Sequence, residues 1–158
     1  MLKKYYSVFG PAFRLLDAVI LIGSWVIAYY LRKYYPLSIM HSELPPFYLY
    51  GAYSIVIVLL WGTVFSLFNL YSSKRMTRRT AEAYQVLRAH SMSLLIFISF
   101  TYLLTAYKLS RGVFVYFFFL SAVLLVGSRL FIRNSLRKLR MNGYNLKNVL
   151  IAGSGSLA

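Results

Sequence analysis

Four long runs almost free of charge constrain this chain more than any other feature: 15–31, 44–73, 89–107 and 112–128, within which Asp17 is the one acidic or basic residue. An α-helix needs about 20 apolar residues to cross a hydrocarbon core of ~30 Å. Backbone polar groups there must be satisfied within the helix itself. The runs therefore predict an all-α membrane protein, a four-transmembrane-helix bundle with spans over about 15–31, 47–71, 89–107 and 112–128. The first run follows Lys3, Lys4 and Arg14 and has the outline of a signal peptide. No small-residue cleavage pattern follows Ala28, however, and Tyr29, Tyr30, Tyr34 and Tyr35 form a belt suited to the headgroup level. It reads as a retained span.

Charge gives the expected orientation. The 18 Lys and Arg face only 3 Asp and Glu, a formal +15, and the cations flank the apolar runs instead of covering a soluble fold. That placement argues against nucleic acid as a partner. The segments 1–14, 74–88 and 129–158 hold 3, 5 and 6 of the cations, and the two remaining loops hold 2 each. By the positive-inside rule both termini and the 74–88 loop are expected in the cytoplasm of a multi-pass membrane protein. The absence of cysteine excludes disulfides and thiolate chemistry.

Within this frame the polar residues are few enough to take singly. Gly10 and Pro11 suit the start of the first helix, and Pro36, Pro45 and Pro46 mark a loop. Glu82 follows Arg78 by four and Arg79 by three, a spacing that pairs charges on one helix face. Asp17 and Arg129 fall at matching depth near the same membrane face, so they are expected to neutralise each other, the alternative being two side chains that snorkel separately. Ser24 with Ala28 and Thr101 with Thr105 are small-residue pairs that favour close helix packing. His41 and His90 are read as polar interfacial residues. No spacing of His, Asp and Glu suits a metal, and no paired carboxylates or nucleophile with base suit catalysis. The chain by itself is expected to catalyse nothing and to hold no cofactor.

The last thirty residues change character. Arg129, Arg133 and Arg137 recur at i, i+4 and i+8 as a basic stripe, joined by Lys138 and Arg140, on a juxtamembrane helix and turn over 133–145. Together with Lys74, Arg75, Arg78 and Arg79 these residues are expected to meet anionic headgroups or a lipid phosphate. Gly143 and Asn145 stop the helix. Val149, Leu150 and Ile151 then lead into Gly153 and Gly155, the strand and Gly-x-Gly-x-x-Ala turn that open a dinucleotide-binding fold. A parallel strand needs neighbours and a crossover helix, so 146–158 is expected to be the start of a Rossmann-like domain, truncated. Gly153 and Gly155 would approach a phosphate only in an intact parent.

Leu16-Asp17 opening the first span, Leu70-Tyr71 before the basic run with Glu82, Ser110-Arg111 before the fourth span, Arg129 at its end, and Gly143-Tyr144-Asn145 before the strand and glycine turn occur in a set order. That order resembles the N-terminal half of large polyprenyl-phosphate glycosyl-1-phosphate transferases. The resemblance implies a membrane anchor and assembly domain, forming homo-oligomers, of an enzyme that moves a hexose-1-phosphate from a UDP-sugar to undecaprenyl phosphate in exopolysaccharide or O-antigen synthesis. It implies too that Mg²⁺ serves a catalytic domain absent from these residues. Two alternatives share the plan: the membrane domain of a polysaccharide-type nucleotide-sugar 4,6-dehydratase, and a non-enzymatic helical scaffold.

Overall fold

The computed structural model describes residues 3–35, 45–71, 79–104 and 109–141. They form four helices, α1 (Lys3–Tyr34), α2 (Phe47–Leu67), α3 (Arg79–Leu104) and α4 (Arg111–Met141). There is no strand among the described residues, and the strand and glycine turn expected over 146–158 lie outside them. Each helix contains a segment long and apolar enough to cross a membrane: Gly10–Tyr34, Phe47–Leu67, Thr80–Leu103 and Arg111–Ser135. The arrangement is consistent with a multi-pass membrane protein.

Helix limits depart from expectation where local signals competed with the apolar pattern. α1 does not begin at Pro11 but runs through it; the proline ring already holds a helical φ, and its cost is one missing N–H donor and crowding against the carbonyl one turn back. α3 starts at Arg79, between the two starts, Thr77 and Thr80, that the Arg78/Arg79–Glu82 spacing suggests, so charged residues form its first turns ahead of the apolar run. α4 continues unbroken from the apolar span into the basic segment as far as Met141, and the juxtamembrane helix is its last part. α2 ends in a turn that the apolar pattern does not announce. The Asn69 N–H donates to Ser66 O and the Leu70 N–H to Phe65 O, both at 3.0 Å, with Asn69 in the left-handed region at φ 54°. This is a Schellman cap, for which asparagine is the usual substitute for glycine.

The helices run alternately up and down. Each packs on its sequence neighbours and α4 closes on α1, the most extensive contact, while neither diagonal pair meets through its backbone. One large aromatic from each helix fills the square between them. Trp25 of α1 lies 5.7 Å from Phe97 of α3 and 5.2 Å from Phe117 of α4, and Trp61 of α2 lies 5.9 and 5.5 Å from the same two rings. All four contacts are edge-to-face, the arrangement that the ring quadrupoles favour. The outer faces carry Leu15, Val19, Ile55, Leu59, Leu103 and Val123, all about two-thirds exposed or more. Helices apolar on both inner and outer faces suit a lipid surround.

Candidate functional site

On α1 the buried positions Asp17, Leu21, Ser24, Trp25, Ala28, Tyr29 and Arg32 form one stripe. On α4 the residues Val113, Phe117, Ser121, Leu125 and Arg129 are buried at every fourth position. Opposing these faces in antiparallel helices sets a charge at each end of the α1/α4 seam. The end where α1 begins and α4 leaves is termed proximal, and the other distal.

At the proximal end Arg129 Nη2 donates to Asp17 Oδ2 at 2.6 Å, with both side chains almost fully buried. The pair is roofed by rings. The Arg129 guanidinium lies 4.6 Å from the centre of Phe13 and 5.8 Å from that of Tyr71, and Arg14 covers Tyr71 at 5.1 Å. Delocalised, weakly hydrated guanidinium groups stack well on aromatic faces. Tyr71 reaches this position because the Asn69 cap reverses the chain at the end of α2. Burial first and the Asp17 charge second push its phenol above the ordinary tyrosine range, so it remains protonated beside the carboxylate. Asp17 Oδ1 has no hydrogen-bond partner among the described residues.

Beyond this pair the basic stripe fans outward as α4 leaves the bundle. Arg133 Nη1 donates to Glu82 Oε2 at 2.9 Å, and both side chains are about one-third exposed. The Glu82 carboxylate thus reaches across to α4, a partner fifty-one residues away that helical spacing from Arg78 or Arg79 does not suggest. Arg88 lies over Phe68 at 5.8 Å. Arg137 and Lys138 are exposed. Lys74, Arg75, Arg78, Gly153 and Gly155 lie outside the described residues, as do the side chains of Arg79 and Arg140.

The interior corrects one expectation. His90 is not interfacial but fully buried; α3 begins nearly three turns before its apolar run. Trp61 Nε1 donates to His90 Nδ1 at 2.8 Å, and Ser121 Oγ lies 3.1 Å from Nε2. With Nδ1 accepting, Nε2 carries the proton and donates to Ser121, whose hydroxyl donates to Phe117 O. The serine proton is directed at a carbonyl, and among the described residues no carboxylate backs the histidine, so the set has the geometry of a structural clasp between α2, α3 and α4. Ser24 and Ala28 are both fully buried, and the Ser24 hydroxyl has no partner among the described residues.

At the distal end Arg32 is buried, and its Nε donates to Ser110 Oγ at 3.3 Å. The Ser110 N–H in turn donates to Tyr50 Oη at 3.1 Å. The guanidinium arm passes over Gly112: a Cβ at that position would fall 2.6 Å from Arg32 Cδ and 2.7 Å from Nε. A side chain at that position would force the arginine arm to shift. Among the described residues no group of three His, Asp or Glu side chains could hold a metal.

A family model described as a CoA-binding domain matches residues 66–158, from the last turn of α2 through α3, α4 and the segment beyond. Such domains are found in sugar transferases. No curated protein matches the chain, and no solved structure does.

Proposed function

Because the chain belongs to the CoA-binding domain family, matched over more than half its length and related to sugar transferases, we propose that it is the membrane anchor and assembly domain of an enzyme that initiates exopolysaccharide or O-antigen synthesis. In this reading the enzyme moves a hexose-1-phosphate from a UDP-sugar to undecaprenyl phosphate. The bundle keeps the catalytic portion in the plane of its lipid acceptor, converting a search in three dimensions into one at a surface. Both termini lie in the cytoplasm at the bacterial inner membrane. The observation that carries the proposal is that the family match and the four spanning helices share α3 and α4, so a transferase-related segment and a membrane bundle are one continuous piece.

The proximal end supplies the chemistry for a place against the inner leaflet. Arg137 and Lys138 are exposed on α4, a turn beyond the Arg133–Glu82 pair, and each basic side chain near an anionic surface adds about 1 kcal/mol of attraction. Arg129 takes no part in this contact, since Asp17 and two rings enclose it. Within the family match, Gly153 and Gly155 are the residues suited to cradling a phosphate, so the pyrophosphate of a nucleotide or of CoA is the ligand class to test there.

The test has two parts. In intact cells a membrane-impermeant amine reagent is expected to leave Lys74 and Lys147 unmodified and to reach both after permeabilisation. Membranes bearing this chain alone, given UDP-sugar and undecaprenyl phosphate, are expected to yield no glycolipid. Labelling of Lys147 in intact cells refutes the orientation, and sugar-phosphate transfer by the chain alone refutes an anchoring role.

A further inference from the structure

An open groove of about 440 Å³ runs along the outer seam of α3 and α4. Its walls are bulky and apolar, Leu94 and Ile98 from α3 facing Val115, Phe118 and Phe119 from α4, and only its distal end is polar. There the exposed Arg111 donates from Nε to Tyr102 Oη at 3.3 Å. Arg111 opens α4 and Phe119 lies eight residues further along it, so the groove descends about 12 Å at 1.5 Å per residue. One leaflet of a ~30 Å hydrocarbon core is about 15 Å deep. The groove thus matches a single leaflet, with a cation and a phenol at headgroup level.

We infer that this groove binds one anionic phospholipid of the leaflet opposite the chain termini, its phosphate on Arg111 and Tyr102 and one acyl chain between α3 and α4. The inference rests on the membrane-spanning reading above. Two observations favour a lipid over a second helix. Helices associate in bilayers through small residues that let their backbones approach, whereas leucine, isoleucine and phenylalanine line these walls. A lipid phosphate also gives the guanidinium a counter-charge that an uncharged helix does not. Apolar contact contributes little selectivity where the competitor is another lipid tail, so headgroup charge decides the occupant. The bond to Tyr102 occupies one donor of a guanidinium that offers several, leaving others for paired contacts with phosphate oxygens.

Native mass spectrometry of the 158-residue chain, after reconstitution in equal mixtures of phosphatidylglycerol and phosphatidylcholine with identical acyl chains, reads the occupant directly. Retention of phosphatidylglycerol is expected to exceed that of phosphatidylcholine about tenfold, the ratio equivalent to ~1.4 kcal/mol. Arg111→Gln lowers the ratio severalfold, to what the basic residues of the other end retain, and Arg111→Lys restores part of the loss. Val115→Trp, or the milder Val115→Phe, fills the groove and lowers retention of both lipids, while Leu59→Ala on the outer face of α2 leaves the ratio unchanged. Excess glycerol phosphate does not displace the lipid. Parity in the unaltered chain, an unchanged ratio in Arg111→Gln, or displacement by glycerol phosphate overturns the assignment. So does high-yield cross-linking of a cysteine placed at Phe119 to a second copy. Failure of the chain to insert into liposomes refutes the membrane reading itself, and insertion without lipid preference refutes only the groove.

Discussion

The two ends of the α1/α4 seam each bury an arginine, and they hold it differently. Proximally, Arg129 meets the Asp17 carboxylate at 2.6 Å under a roof of Phe13 and Tyr71. Distally, Arg32 threads past a glycine to the Ser110 hydroxyl at 3.3 Å. Among the described residues, one end shows an opposite charge against its arginine and the other a hydroxyl acceptor and a close-fitting glycine. The same residue type can therefore be secured in a bundle by two mechanisms, which distinct substitutions should separate.

Removing one charge proximally tests this most severely. Asp17→Leu or Arg129→Leu is expected to lower stability to unfolding in mixed micelles by about 3–5 kcal/mol, because the partner is left buried and uncompensated. The double variant should recover most of that loss. Losses that simply add would show that the two groups do not depend on each other.

Midway between the ends, His90→Phe asks whether neutral contacts alone hold the centre. It strands the Trp61 N–H in an apolar interior, for an expected cost of about 1–3 kcal/mol. Adding Trp61→Phe should return part of the loss, and chemical denaturation of the two variants checks it.

The distal mechanism predicts a change of sign. Gly112→Ala gains up to ~1 kcal/mol of helix propensity, but the added methyl meets Arg32 Cδ, and overpacking costs ~1–3 kcal/mol. A net loss of about 1 kcal/mol is expected. In an Arg32→Ala background the same change should stabilise, since only the propensity gain remains. A loss of equal size in both backgrounds would remove the case for a space-held arginine.

The smallest effect should come from Glu82→Gln. The Arg133 pair is partly exposed, where ion pairs contribute ~0.2–1 kcal/mol. A loss comparable to that of Asp17→Leu would erase the distinction between enclosed and peripheral pairs.

These contacts also divide by what the sequence makes legible. The four helices follow from uncharged length, since only a helix satisfies its own backbone in lipid. Asp17 and Arg129 can be matched by depth, being charges at the margins of the first and fourth runs. Glu82 reaches an arginine on another helix because α4 passes close by, and the spacing of residues on α3 carries no record of that approach. His90 is misread for a related reason. Its run appears to begin one residue before it, whereas α3 starts eleven residues earlier and carries the ring into the interior. Gly112 gives no signal, because its role belongs to a side chain eighty positions away. Asn69 carried one: an asparagine directly after an apolar helix is a recognised stop, and from that stop Tyr71 could have been brought near Arg129. The strand and glycine turn beyond residue 145 fall outside the described residues.

The ring quartet at the centre has a consequence for what can pass between the helices. Four strands of helix at the corners of a square leave an axial lumen, the ordinary route for an ion or a solute. Here Trp25, Trp61, Phe97 and Phe117 stopper that lumen at mid-depth, each locked edge-on against two others. Among the described residues, the axis of the bundle is filled by side chains at that depth.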